Sequence, residues 1–127
     1  MQGLRSVLLV GAGGFLGTVA RFVIGGWVHR LLPFTTFPAG TLAVNVSGCF
    51  LIGILGGLME ARQLLGADQR VFLLIGVLGG FTTFSSFAYE TLALARDADL
   101  ARALLNVGAQ VVLGLAACWL GHGMVRP

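Results

Sequence analysis

The chain has 127 residues, 57% of them hydrophobic and only 10% charged, with a mean hydropathy of +0.93. A soluble domain carries roughly 25% charged residues, so this composition points away from one and toward an integral membrane protein. The net charge of +3 comes from scattered arginines without a basic run or aromatic–basic interleaving, which excludes a nucleic-acid surface and with it a nucleic-acid partner.

A membrane-crossing helix needs about 20 mostly apolar residues. Four segments qualify, at residues 4–32, 39–61, 71–95 and 100–122. The expected fold is therefore all-α, a single four-helix membrane domain over residues 1–127. The first span opens like a short signal peptide, but its apolar pattern runs on past Gly14 and reads as a span. It carries Arg21, and Trp27 near its end reads as an interface anchor. The second span carries Asn45 and Cys49. The third holds the stretch "GGFTTFSSF" (79–87) and then Glu90. The fourth carries Asn106, Gln110, Cys118, Trp119 and, near its end, His122, which reads as interfacial. Cys49 and Cys118 read as small packing residues within spans, not as a disulfide. Gly13/Gly17, Gly53/Gly57 and Gly76/Gly80 repeat at four-residue spacing. Such pairs let helix backbones approach closely in lipid, within one chain or between two.

Four spans put both termini on one side. That side carries Arg5, Arg62, Arg70 and Arg126, and the other carries Arg30, Arg96 and Arg102. Orientation normally follows an arginine and lysine excess, and this near-balance predicts a chain that inserts both ways and pairs as an antiparallel homodimer. The alternative is one orientation fixed by a single arginine or the N-terminal amine. At about 1.5 Å per residue, Arg21, Asn45, Glu90, Asn106, Gln110 and Phe87 lie roughly 9–15 Å from the face holding the first and third connectors. One copy would hold a polar pocket in one membrane half, and two antiparallel copies would hold one in each.

Ionisable residues inside a span are functional candidates, and here the deepest is a cation, Arg21. Asn45, Thr82, Thr83, Ser85, Ser86, Asn106 and Gln110 all offer hydrogen-bond donors. Phe84 and Phe87, three residues apart, add electropositive ring edges. Donors without a matched acid make a lining for an anion. The two glycines at 79–80 predict a broken third helix, and irregular backbone at membrane depth is tolerated where it is buried or lines a cavity. Its freed carbonyls suit a cation such as Na⁺. Blander readings compete: the hydroxyls bond back to the preceding turn, the rings only pack, and Arg21 pairs with Glu90 or extends to the interface.

"GAGGFLGTVAR" (11–21), "GTLAVNVSGCFLIG" (40–53) and "GVLGGFTTFSSFAYET" (76–91) resemble the Fluc, or CrcB, family of small fluoride channels. The resemblance covers the first three helices in order, the fourth by length only. It implies antiparallel homodimers of four-helix subunits in the bacterial inner membrane, with two pores and a structural Na⁺ at the dimer centre. Such channels export fluoride passively. It implies that Phe84 and Phe87 face fluoride, that Asn45, Ser86 and Thr83 line its path, and that Gly79 and Thr82 bind Na⁺ through main-chain carbonyls. Arg21 takes an electrostatic or structural role beside Glu90. The fourth helix departs from the family's hydroxyl pattern and offers Asn106 and Gln110 for the outer polar track.

Two other classes are weighed against this one. A small multidrug-type, proton-coupled cation exporter needs an acid in its first helix, which here has Arg21 instead. A non-transporting assembly subunit explains the glycines but not the donors at mid-depth. No metal-ligand set, Ser–His–Asp array or phosphate loop suggests an enzyme.

Overall fold

The computed structural model describes residues 2–62 and 64–125, without the side chains of Gln2 and Arg62. Of the arginines in the charge balance, Arg126 and the Arg62 side chain thus lie outside the described residues. Helix α1 spans Gln2–Leu31 and α2 spans Ala39–Arg62. The third crossing begins with α3 (Ala67–Arg70), widens into a π-helical stretch (Val71–Leu78) and ends its first half in α4 (Gly79–Phe81). It resumes as α5 (Phe84–Arg96), and α6 runs Leu100–Met124. All four crossings are long and apolar enough to traverse a bilayer, so the chain is a multi-pass, all-helical membrane protein.

The ends follow local chemistry. Pro38 precedes α2, and a proline cannot continue a helix from the preceding turn. The third crossing starts four residues before the apolar run at Val71, because the Gln69 side chain accepts the Gly66 N–H at 2.9 Å and closes a polar first turn. Asp99 caps α6 by accepting from the Arg102 N–H at 3.2 Å. Ala98 holds φ 58° in the turn between α5 and α6, and the Asp99 N–H reaches back to the Leu94 carbonyl at 3.0 Å.

Glycine decides the packing. α1 lies against the π-helical stretch and α4, and α2 lies along α6. A Cβ at Gly13 would sit 2.5 Å from the Phe72 carbonyl, and one at Gly80 would sit 2.5 Å from the Gly14 carbonyl. A side chain at Gly17 would collide with the Val77 carbonyl, and at Gly53 with that of Cys118. The paired glycines of the sequence thus bring helices together within one chain.

What remains buried is little: Val44, Leu78, Phe81, Leu94 and Ala103 among the apolar side chains. Phe22 is 82% exposed, and Trp27, Leu115 and Trp119 are also exposed. In water such faces would drive association; in a bilayer they meet lipid tails. Among the described residues the ion pairs collect at the ends. Arg102 pairs with Asp99 at 3.1 Å and bonds Thr36, which joins the first and third connectors. At the opposite end Arg5 meets Asp68 at 2.5 Å and His122 meets Glu60 at 2.9 Å.

Candidate functional site in the interrupted third crossing

Between α4 and α5 the backbone leaves the helix for two residues. Thr82 has φ −81°, ψ 157° and Thr83 has φ −150°, ψ 111°, both extended. The sequence favours this locally. Gly79 and Gly80 lower helix propensity, Thr82 and Thr83 are β-branched, and threonine is a preferred N-cap. The Thr83 hydroxyl accepts the Ser86 N–H at 3.2 Å and so starts α5.

A break inside a membrane needs new partners for the freed backbone groups, and α2 supplies them. The Thr83 N–H donates to Asn45 Oδ1 at 2.8 Å, and Asn45 Nδ2 donates to the Thr83 carbonyl at 3.0 Å. One amide side chain thereby replaces both halves of a backbone pairing. The same Nδ2 also donates to Gln110 Oε1 on α6 at 3.1 Å. In an uninterrupted α-helix the Thr83 N–H would bond the Gly79 carbonyl, and the Ser86 N–H the Thr82 carbonyl. Both donors are diverted here, to Asn45 and to the Thr83 hydroxyl.

Two cavities meet at Thr83. One, of 380 Å³, is lined by Asn45, Thr82, Thr83, Phe84, Phe87 and Gln110, with Gly79 and Cys49 also on its wall. The other, of 320 Å³, is lined by Arg21, Thr18, Thr41, Thr83 and Ser86. Thr83 is the one residue common to both linings. Phe84 and Phe87 stand edge to face, with centroids 5.3 Å apart and planes at 69°. Phe84 is 78% exposed, so its ring is held by this contact more than by a core. Among the described residues no acid lines either cavity.

The expected site residues separate by depth and face. Phe84, Phe87, Asn45, Thr83 and Gln110 share the first cavity. Ser86 falls in the second, beside Arg21, its hydroxyl accepting from that of Thr83 at 3.0 Å. Glu90 stands farther toward the first connector. It accepts the Thr41 hydroxyl at 2.7 Å, and no ion pair joins it to Arg21 among the described residues. Asn106 lines neither cavity. It is wholly buried and donates to the Thr91 hydroxyl at 2.9 Å, which in turn donates to the Phe87 carbonyl at 2.8 Å.

Thr41 and Thr91 carry contacts that the sequence reading overlooked. The signal was present: Thr41 is one helical turn before Asn45 and Thr91 one turn after Phe87, each on its neighbour's face. Thr91→Val tests the second of these contacts. It keeps the side-chain shape but strands the Asn106 amide nitrogen, and should lower stability by about 1–3 kcal/mol. A thermal melt in detergent reads this loss, and adding Asn106→Leu should recover part of it, because both partners then become apolar.

Comparison with known proteins gives consistent results. The family model described as "CrcB-like protein, Camphor Resistance (CrcB)" matches residues 8–122. Over 117 residues the chain is 52% identical to "Fluoride-specific ion channel FluC" of Opitutus terrae, covering 91% of this chain and 88% of that relative. It is 42% identical over 123 residues to the protein of the same name from Methylobacillus flagellatus, covering 97% and 96%. To "Fluoride-specific ion channel FluC 3" of Methanosarcina barkeri it is 41% identical over 118 residues, covering 93% and 88%.

Proposed function

The chain belongs to the CrcB family, and from that membership we propose that it is a fluoride-specific ion channel, a membrane transporter and not an enzyme. The observation that carries the reading beyond the family name is the first cavity. It joins two phenylalanine rings in edge-to-face contact and two amide side chains at a helix break, with no acid among its described lining residues. A small, strongly hydrated anion must shed water to pass, and positive partial charge from ring edges and N–H groups compensates the loss. Fluoride moves passively, past Phe84 and Phe87 on one side of Thr83 and past Ser86 and Arg21 on the other. Arg21 raises the local anion concentration without binding tightly, and Glu90 sits farther out, held by Thr41. Asn106 acts behind the lining, through Thr91.

The working unit is an antiparallel homodimer in a bacterial cytoplasmic membrane, with two pores per dimer. The near-balance of arginines on the two faces supports it. A Na⁺ ion at the two-fold axis would be held by the main-chain carbonyls of Gly79 and Thr82 from each copy. The N–H groups that a continuous helix would bring to these two carbonyls are diverted at the break, and oxygen ligands suit a hard cation. The ion's contribution is electrostatic, cementing the interface.

Liposomes preloaded with fluoride and carrying only this protein test the function with a fluoride electrode. Rapid fluoride release, with chloride retained in a parallel preparation, is the expected outcome. Release no faster than from empty liposomes would contradict it, and proton-coupled uptake of a lipophilic cation would favour the exporter instead.

A further inference from the structure

We propose that Cys49 and Cys118 form a two-thiol site for a soft divalent cation, with Hg²⁺ as its type, and that filling the site closes the cavity beside Phe84 and Phe87. The effect on flux rests on the fluoride reading above; the site itself does not. The pairing of α2 with α6 brings the thiols together. Asn45 meets Gln110, a Cβ at Gly53 would collide with the Cys118 carbonyl, and one at Gly57 would sit 3.1 Å from the His122 carbonyl. The two helices therefore run side by side in the same direction. Cys49 lies midway between Asn45 and Gly53 on α2, and its sulfur faces Gly114, where an added Cβ would sit 3.4 Å away. Cys118 follows Gly114 by one turn and shares its face of α6. The Cα–Cβ bond of Cys118 tilts toward the N-terminus of that helix, which is toward Gly114 and the Cys49 sulfur. A charge on the Cys118 thiol would act on that of Cys49.

Both thiols are free, and their placement favours a metal bridge over a disulfide. Cys49 is level with Gly114, so Cys118 lies about 6 Å farther along the axis before any sideways distance is added. Disulfide-linked Cα atoms usually stand about 4.4–6.8 Å apart. Two metal–sulfur bonds of about 2.3 Å in line reach more than twice as far as an S–S bond of about 2.05 Å. Among the described residues no three His, Cys, Asp or Glu side chains gather to hold a metal, so a closed tetrahedral centre has no ligands here. A linear ion between two sulfurs needs no third ligand, and thiolate sulfur selects soft metals. Cys49 is on the wall of the 380 Å³ cavity, which gives the cation its way in. Binding breaks two S–H bonds and forms two metal–sulfur bonds; both protons leave to water and no electron is transferred. Two thiolates cancel the charge of the dication. The filled site is thus neutral, as it must be beside Ile52, Leu74, Leu78 and Val111. The bound ion takes space from the cavity that holds Phe84 and Phe87 and locks α2 to α6.

The test titrates Hg²⁺ into the intact protein in chloride-free buffer, counts the thiols left free, and follows fluoride efflux from liposomes. Cys49→Ser, Cys118→Ser and the double variant serve as comparisons, with alanine in place of serine wherever a serine variant fails to fold. Each preparation is compared with its own metal-free flux. In the parent, one equivalent of Hg²⁺ should consume both thiols and bring efflux down toward that of empty liposomes, and an excess of a small dithiol should restore it. Each single variant should hold the ion about a hundredfold more weakly, because the second sulfur no longer binds intramolecularly. The double variant should keep its flux. Parent affinity no higher than that of either single variant would overturn the two-thiol site, and so would a second equivalent needed to consume the second thiol. Full occupancy with undiminished efflux would overturn the closure, and an equal block of the double variant would place the metal's action elsewhere. A parent protein that passes no fluoride would sink the channel reading, while the thiol count and the affinities would still decide on the site.

Discussion

Replacing Asn45 by leucine should leave little folded protein to recover from detergent. Thr83 is 8% exposed, and both its N–H and its carbonyl bond the Asn45 side chain. Leucine is close in size but offers neither a donor nor an acceptor. Two buried backbone groups without partners cost about 1–3 kcal/mol each. That sum of about 2–6 kcal/mol approaches the whole stability typical of a small domain, about 5–15 kcal/mol. Asn45→Asp grades the effect, because its oxygen still accepts from the Thr83 N–H while both donated bonds are lost. Size-exclusion profiles and thermal midpoints should rank the parent above Asn45→Asp, and Asn45→Asp above Asn45→Leu. A leucine variant as stable as the parent would mean that the break finds its partners elsewhere.

Isoleucine at Phe84 or Phe87 should do the opposite, sparing the fold and depressing fluoride flux. Phe84 is 78% exposed and packs chiefly on the Phe87 ring, so its removal takes little from the core. What it takes from the ion is an electropositive edge that an aliphatic chain cannot supply. If each ring lowers the barrier by about 1.4 kcal/mol, each single variant loses flux about tenfold. The rings touch, with centroids 5.3 Å apart, so the double variant should lose less than the product of the single losses. Efflux and elution volume measured on the same preparation separate a conduction defect from an assembly defect. Parent-like flux in both single variants would remove the ring edges from the mechanism.

The parts of this protein that local chemistry determines were legible in its sequence. Hydropathy gave four crossings whose observed ends, Leu31, Ala39 and Leu100 among them, lie close to the expected ones. The glycines at 79–80 raised the expectation of a joint in the third crossing from their low helix propensity alone; the residues with extended backbone are the two threonines that follow, Thr82 and Thr83. The motifs at 11–21, 40–53 and 76–91 led to the family that the comparisons show. Partnerships between distant residues were not legible. Nothing in a local window says that Asn45 will hold a backbone 38 residues away, or that Asn106 and Gln110, one turn apart on α6, will meet different neighbours. Asn106 turns to Thr91 on α5 while Gln110 turns to Asn45 on α2. That division depends on how α6 is rotated against its neighbours, and the rotation is set by glycine contacts such as Gly121 against the Phe50 carbonyl. The glycine spacing was visible, but whether it joined helices of one chain or of two was not.

The central claim is that a stripped fluoride ion passes the break in the third crossing while larger halides do not. A planar bilayer with fluoride on one side and chloride on the other tests it most directly. The account predicts a steady, uncoupled current whose reversal potential lies at the fluoride limit and does not move when a proton gradient is imposed. A reversal potential near zero, with chloride carrying comparable current, would contradict it.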